Sequence, residues 1–524
     1  MNPINDTNYN QRSDRAVGTG SRDSEFCGSI PLNFINLIQP YGMLLLLDKT
    51  YKVVQVSENI SEVLGKALED IVEHPFASLL SAGQFDNFQQ KIVRREVHNN
   101  IPHILRLATS QGSRRFAGVI HFHKEYFLIE LEPIEEETSD ITFINAYQDI
   151  KYIMAALQQA EDLKEFGHIA ASEIKSFSGF DGVMLYQFDQ QWNGSVVAEA
   201  KEESMESYLN LKFPASDVPR QARELYFRTP YRLIPDVNFE PVRLFPIINP
   251  IVRGFTDISD CTLRSVPQVH IEYLKNMNVQ ASMSTPVIVD GKLWGLISCH
   301  HKTPKQIPFE LRYAFEVLAG LISFQLASRE REERLQHFTD RREMELKLID
   351  LLHREKEARD ILLEESDILL KLFRAGGAVL VIGDKYETKG QVPSQKYVSE
   401  LVKWLRLFNK EKLFLTDSLS PHVRNAKEYK DVASGLLAIQ FSHSPLGYLL
   451  LFRPEIIHTI HWGGNPNEAI QFEEDHKKYH PRNSFKEWRE KVEYTAVPWE
   501  AELVEIAKNL RTVLLEKVLI NLQE

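Results

Sequence analysis

A chain of 524 residues with a formal charge of −12 and 43% hydrophobic content can fill several packed cores, and is too acidic to offer the basic surface that nucleic acid requires. Its apolar runs, such as 43–47, are strand-length rather than membrane-spanning, and the polar N-terminus carries no secretory h-region. Three cysteines, Cys27, Cys261 and Cys299, are too few and too odd for a disulfide framework, so a cytoplasmic protein of about three or four domains is expected.

Residues 1–26 are rich in Asn, Ser, Thr, Asp and Arg and read as a flexible leader. Cys27 follows, in EFCGSIPLNFINLIQPYG. A lone cysteine is usually a small buried hydrophobe, but this one precedes any core-like run, so its thiol is free to reach a neighbouring domain. Strands are predicted at 43–48 and 53–56, then a short helix over 57–64 with Ser57 as N-cap, then a strand pair at 116–122 and 126–132. This mixture is that of a small α+β sensor domain. A second α+β unit covers 142 to about 328, with a helical stretch over 144–177 and strands at 182–188 and 195–201. Its hairpin, STPVIVDGKLWGLISCHH, turns at Asp290-Gly291.

Inside that unit lies FPASDVPRQARELYFRTPYRLIPD, residues 213–236. Asp217 stands before the Val218-Pro219 step, a helical turn carries Arg223 and Tyr226, and Arg232 sits between Pro230 and Pro235. Proline fixes φ and disfavours helix in the preceding residue, so 229–236 should be rigid and non-repetitive. A stiff loop with an acid, a phenol and guanidiniums makes a polar wall for an anionic ligand. A capped surface helix with proline-rich flanks is the plain alternative. From about 326 to 373 the sequence reads as one long helix, with Met344, Leu348, Leu351, Ala358 and Leu362 on one face. A third α+β unit has strands at 378–382, 436–441 and 448–452 and a polar, aromatic excursion over 453–499. Residues 500–523 return to helix, with Leu503, Ile506, Leu510 and Val513 at coiled-coil-like spacing, and stop uncapped as if the helix continued.

The 213–236 stretch closely resembles the signature segment of phytochrome chromophore-binding domains, with Asp217-Val218-Pro219 where Asp-Ile-Pro is usual. LRSVPQVHIEYLKNMNVQASMS and GKLWGLISCHH resemble two further pocket segments of that family. PRNSF (481–485) resembles the Pro-Arg-x-Ser-Phe motif of the phytochrome tongue, flanked by HWGG (461–464) and PWE (498–500). From about Cys27 to its end the chain is similar to a bacteriophytochrome photosensory core. The resemblance implies three tandem α+β sensor domains, PAS, GAF and PHY, with central antiparallel sheets linked by long helices. The boundaries it implies are a leader at 1–26, PAS at 27–135, GAF at 140–328, a connecting helix at 329–375, PHY at 376–499 with the tongue over about 453–499, and an output helix at 500–524. A figure-of-eight knot between leader and GAF domain is implied as well.

In this family the thiol's position decides the chromophore. Val269, not cysteine, precedes His270, whereas Cys27 is present, which implies biliverdin IXα held by a thioether to Cys27. Cys261 and Cys299 are possible competitors, though Cys299 sits in an apolar strand and reads as core. The resemblance further places Arg232 and Arg264 on the propionates, assisted by Tyr226, Ser282 and Ser284. The Asp217 carbonyl and His270 accept the pyrrole N–H groups, His300 faces the D-ring carbonyl, and Tyr186, Phe213 and Tyr273 surround the D-ring. Isomerisation would exchange Asp217's partner from Arg482 to Ser484, with Trp462 and Trp499 trading places as the tongue refolds. One departure is Tyr41, where relatives often carry histidine.

His458, His461, His476 and His480 gather in the tongue, but without a zinc framework they read as solvated loop residues and no metal is expected. A GAF-type cyclic-nucleotide sensor is the competing reading, and Cys27 with the tongue motifs counts against it. No Walker loop, nucleophile elbow or kinase glycine motif is present, so no enzyme activity is expected in this chain. A histidine-kinase output with a cognate response regulator, and homodimerisation along 503–522 and 344–362, are the expected partnerships.

Overall fold

The computed structural model describes residues 36–93, 101–134, 143–353, 358–409, 411–456, 458–468, 470–472 and 479–521. The expectations for the leader, Cys27, His476 and Leu522 lie outside these residues, as does the leader's path through any knot. Two compact units are present: Met1–Ser328 with His461–Trp488, and Arg329–Ile460 with Arg489–Glu524.

The first unit holds two large sheets. One has the strand order Leu37–Ile38, Val242–Phe245, Val53–Ser57, Met43–Asp48, Tyr126–Pro133, Gly112–Phe122, Ile101–Thr109. Met43–Asp48 is apolar at nearly every position because both faces of this sheet are covered. Met43, Leu45 and Leu47 enter a core with Phe76, Phe88 and Phe116, while Leu44 and Leu46 meet Ile38, Leu244, Ile258 and Leu263 on the other side. Strand Val242–Phe245, distant in sequence, is inserted between Leu37–Ile38 and Val53–Ser57, so 36–57 and 242–264 fold as one piece. Ser57 is not a helix cap: it ends a strand, its hydroxyl accepts from the Leu44 N–H at 2.9 Å, and the helix begins at Ile60.

The second sheet runs Arg232–Ile234, Ala281–Val289, Lys292–His301, Gly182–Phe188, Gly194–Lys201, Lys212–Phe213, and is extended beyond that edge by the strand bearing Trp462, which pairs in parallel with Lys212. The turn at Asp290-Gly291 has φ of 49° and 74°, the two positive values that a type I′ hairpin demands. Residues 144–177 form two helices rather than one, Phe143–Gln158 and Leu163–Ser178, because Asp162 caps the second by accepting from the Glu165 N–H at 2.7 Å. The 229–236 run is more regular than its prolines suggested, since Arg232–Ile234 pairs with Ser282–Ser284. Strand Gly182–Phe188 divides the unit's interior by its alternation. Val183 and Leu185 face a helix-covered core with Phe166, Phe315 and Cys299, and Met184 and Tyr186 face the opposite side.

Helix Phe309–His353 starts just after Pro308 and passes through Gly320, earlier than the sequence indicated. The helical run ends in separate pieces, Ala358–Glu364 and Ser366–Phe373, because Glu365 leaves the helical conformation. In the second unit a five-stranded antiparallel sheet has the order Lys385–Gly390, Gly377–Ile382, Leu446–Arg453, Gly435–His443, Leu413–Thr416. Helix Gln395–Phe408 covers one face and helix Ala501–Asn521 the other. Leu503, Ile506 and Leu510, together with Leu348 and Leu362, are buried in this unit's own core. The seam expected to meet a second copy is therefore used at home, because a small sheet must cover both faces.

Candidate functional site

The pocket side of the second sheet holds a half-open cavity with a largely apolar lining, the character of a small-molecule site. Its floor comes from strand alternation: Met184 and Tyr186, Ser282 and Ser284, and Leu296, Ser298 and His300 each share a face at a period of two. One wall is helix Gln268–Asn276 with Met277, which presents His270, Tyr273, Leu274 and Met277 at helical spacing. The rest is Val196, Tyr208, Phe213, Asp217, Val218 and Tyr226.

Nine of the residues singled out in the sequence thus meet around one cavity: Tyr186, Phe213, Asp217, Tyr226, His270, Tyr273, Ser282, Ser284 and His300. Tyr208, Met184, Leu274, Met277 and Ser298 had been missed. Most were within reach of simple periodicity, as Met184 lies two before Tyr186, Ser298 two before His300, and Leu274 and Met277 four and seven after His270.

Burial keeps both histidines uncharged, pushing His270 and His300 down to about 4. His300 contacts the Ser298 hydroxyl at 3.2 Å through Nε2, and its buried Nδ1 has no partner among the described residues. The hydroxyls of Tyr226 and Ser284 lie 2.7 Å apart.

Arg232 and Arg264 are not among the residues lining the cavity; both donate to backbone carbonyls. Arg232 donates to Thr262 O at 3.3 Å and Ser265 O at 2.7 Å, and Arg264 to Ser259 O at 2.9 Å. Neither has a carboxylate partner among the described residues. Burial and the neighbouring Arg232 charge push Arg264 down to about 9. Two crowded guanidiniums with no carboxylate bonded directly to either among the described residues mark a site for carboxylates or phosphates.

Asp217 ends a short 3-10 turn, Ala215–Asp217. It accepts from Arg482 at 2.9 and 2.6 Å and from the Tyr273 hydroxyl at 2.8 Å, with the Arg482 and Asp217 side chains only 3% and 6% exposed. Burial, the largest single influence, lowers the Arg482 pKa, but the Asp217 charge and hydrogen bonds together with Tyr273 and Tyr186 more than offset it, and the value lies above the ordinary one. The guanidinium also lies 4.7 Å from the Phe485 ring, which meets Tyr273 edge-on at 4.8 Å. Helix Gln268–Asn276 grips the same segment through Glu272, bonded to His480 at 2.8 Å, and through Asn276, which donates to Arg482 O at 3.2 Å. His480 and His461 each face one glutamate.

Glycines make this approach possible. A Cβ on Gly463 would lie 2.6 Å from the Phe213 ring, and Gly464, at φ 90°, would place one 2.3 Å from Ser484 O. Ser484 is exposed and turned towards the Lys486 N–H, while Trp462 is buried near Lys212. Trp499 belongs to the second unit, where its indole donates to Thr416 O at 3.0 Å beneath Arg453. Cys299 and Cys261 are buried, and burial raises both thiol pKa values, so neither resembles a reactive thiol.

Sequence models of the PAS fold, the GAF domain and the Phytochrome region match residues 27–134, 162–328 and 341–523. Cyanobacterial phytochrome B of Nostoc sp. is 36% identical over 500 residues, covering 95% of this chain and 66% of that protein. A bacteriophytochrome of Pseudomonas aeruginosa is 33% identical over 497 residues, covering 94% and 66%. The chain thus spans just under two thirds of the length of these relatives. The crystal structure of bacteriophytochrome RpBphP3 from R. palustris superposes with a TM-score of 0.80 at 33% identity, covering 94% of this chain and 99% of that one. With the pocket, the buried Asp217–Arg482 pair and these matches spread over nearly its whole length, the chain belongs to the phytochrome family of photoreceptors.

Proposed function

We propose that this chain is a red/far-red light sensor that holds biliverdin IXα in the GAF cavity through a thioether to Cys27. The observation that carries the reading is a half-open cavity with a largely apolar lining, backed by two buried guanidiniums that bond to no carboxylate among the described residues. A long apolar ligand bearing carboxylates suits both features, since a buried cation is tolerated only with a counter-charge. The bilin itself would supply visible absorption and isomerisation between its C and D rings.

The other roles belong to the protein. Arg232 and Arg264 take the propionates, with Tyr226, Ser282 and Ser284 adding hydroxyls. The Asp217 carbonyl and the uncharged His270 accept pyrrole N–H bonds. His300, with its unpartnered Nδ1, senses the D-ring among Tyr186, Phe213 and Tyr273. Asp217 is the relay: it lines the cavity while its carboxylate holds Arg482. In the second light state Ser484 replaces Arg482, the tongue refolds and Trp462 and Trp499 change places, which is a local charge contact biasing a bistable element. The output would be a C-terminal histidine kinase acting on a response regulator, with a second copy of the chain as partner. Val317, Phe324 and Phe338, exposed at multiples of seven on helix Phe309–His353, suit such a pairing better than the buried Leu503 seam.

The test is to add biliverdin to the apoprotein, record difference spectra after red and far-red light, and probe denatured protein for covalent bilin by zinc fluorescence. Reversible photoconversion is expected, with attachment lost in Cys27→Ser. No photoconversion refutes the light-sensing reading, and attachment retained in Cys27→Ser refutes the attachment site alone.

A further inference from the structure

Glu130 lies on strand Tyr126–Pro133 of the N-terminal sheet, outside the cavity, yet it reaches the 262–265 run that carries Arg264 and accepts from Arg232. Its Oε2 accepts from the Leu263 N–H at 2.7 Å and the Thr262 hydroxyl at 3.0 Å. Thr262 O and Ser265 O in turn accept from Arg232, and Arg264 stands between them in sequence. Acid and guanidiniums are therefore tied to the same short stretch of backbone. Glu130 is 2% exposed, and its other oxygen, Oε1, lies 2.6 Å from Nε2 of His121, which is 1% exposed.

Burial alone would raise the Glu130 pKa, but His121 and the donors at Leu263 and Thr262 together hold it below its ordinary value, so the carboxylate keeps its charge. The Cys261 sulfur lies within 4.8 Å of the His121 and Glu130 ligand atoms, which raises the question of a metal. However, both Glu130 oxygens are already engaged, and burial, followed by the Glu130 charge, keeps the Cys261 thiol protonated. The carboxylate acts here as a charge rather than as a ligand.

We propose that Glu130 is the resident counter-anion of the Arg232/Arg264 site, keeping both guanidiniums charged and in place while limiting how tightly the site takes a second set of carboxylates. This rests on the reading of that pair as the bilin propionate site. It makes the neighbouring domain a setter of ligand affinity: the pocket's net charge is fixed by a residue that never touches the ligand.

The test uses the full chain with Cys27→Ser, so that binding stays reversible, titrated with biliverdin and with biliverdin dimethyl ester. Glu130→Gln keeps the volume and an acceptor for Leu263 while removing the charge, and Glu130→Met serves as a second neutral replacement should the first fail to fold. The ratio of diacid to diester affinity should rise by about tenfold, the order that removing one like charge near a partly desolvated carboxylate site implies. Glu130→Asp should leave the ratio near its original value. Damage to the fold would weaken both ligands together, so an unchanged or lowered ratio in the neutral variants overturns the proposal. Equal affinity for diacid and diester in the Glu130 protein would instead overturn the propionate reading.

Discussion

Replacing Arg482 by alanine should release residues 461–488 from the sheet while leaving the rest of the first unit folded. Asp217 would keep only the Tyr273 hydroxyl among its described side-chain partners, in a site where it is 6% exposed. Removing one member of a buried charge pair costs about 3–5 kcal/mol, mostly from the abandoned charge, whereas an exposed pair is worth about 1 kcal/mol at most. The bidentate geometry, 2.9 and 2.6 Å, and the aromatic rings around the guanidinium put this pair in the first class. A loss of about 3 kcal/mol corresponds to roughly a hundredfold rise in local opening. Native-state hydrogen exchange over 479–492 in the apoprotein reads that opening, and a cycle with Asp217→Ala isolates the pair. Coupling of about 2–3 kcal/mol is expected. Coupling below about 0.5 kcal/mol, the level of a surface contact, would refute the reasoning.

Three further outcomes are expected. His270 and His300 are pushed down to about 4 by burial, against about 6.5 in an unfolded chain, so below pH 6.5 the unfolded chain binds the extra protons. Apoprotein stability is then complete above about pH 6.5 and falls towards pH 4, by up to about 3 kcal/mol per histidine. Thermal melts across this range should show a shallower slope in His300→Gln, and an unaltered slope would count against a neutral buried His300. Gly464→Ala combines a φ of 90° with a Cβ 2.3 Å from Ser484 O and should cost about 2–3 kcal/mol, seen as faster proteolysis within 461–488. Wild-type cleavage rates would show that the backbone there yields easily. Tyr226→Phe strands the Ser284 hydroxyl that now lies 2.7 Å away and should destabilise the apoprotein by about 1 kcal/mol in chemical denaturation, with no change meaning that the contact contributes nothing.

Much of the pocket was legible in the chain because it is built on short periods. Tyr186, Ser282, Ser284 and His300 lie on strands, where alternation fixes the face, and His270 with Tyr273 lies on one helix. The Asp290-Gly291 turn was equally plain, since few dipeptides accept two positive φ values. Local signals failed where a distant partner decided the outcome. Ser57 looked like a cap and became a strand end because Leu44 needed an acceptor. Residues 229–236 looked irregular, yet Arg232–Ile234 found a strand edge at Ser282–Ser284.

By itself the sequence determined the α+β character, the motif order and the residues around the cavity, because period, turn chemistry and long motifs are properties of neighbours along the chain. Only the tertiary structure decided where charge is answered. Arg482 meets Asp217 across 265 positions, Glu130 reaches Leu263 across 133, and the Leu503 stripe turns inward rather than towards a partner. Burial sets the worth of each contact, and burial is a property of everything packed around a residue, which no stretch of sequence contains.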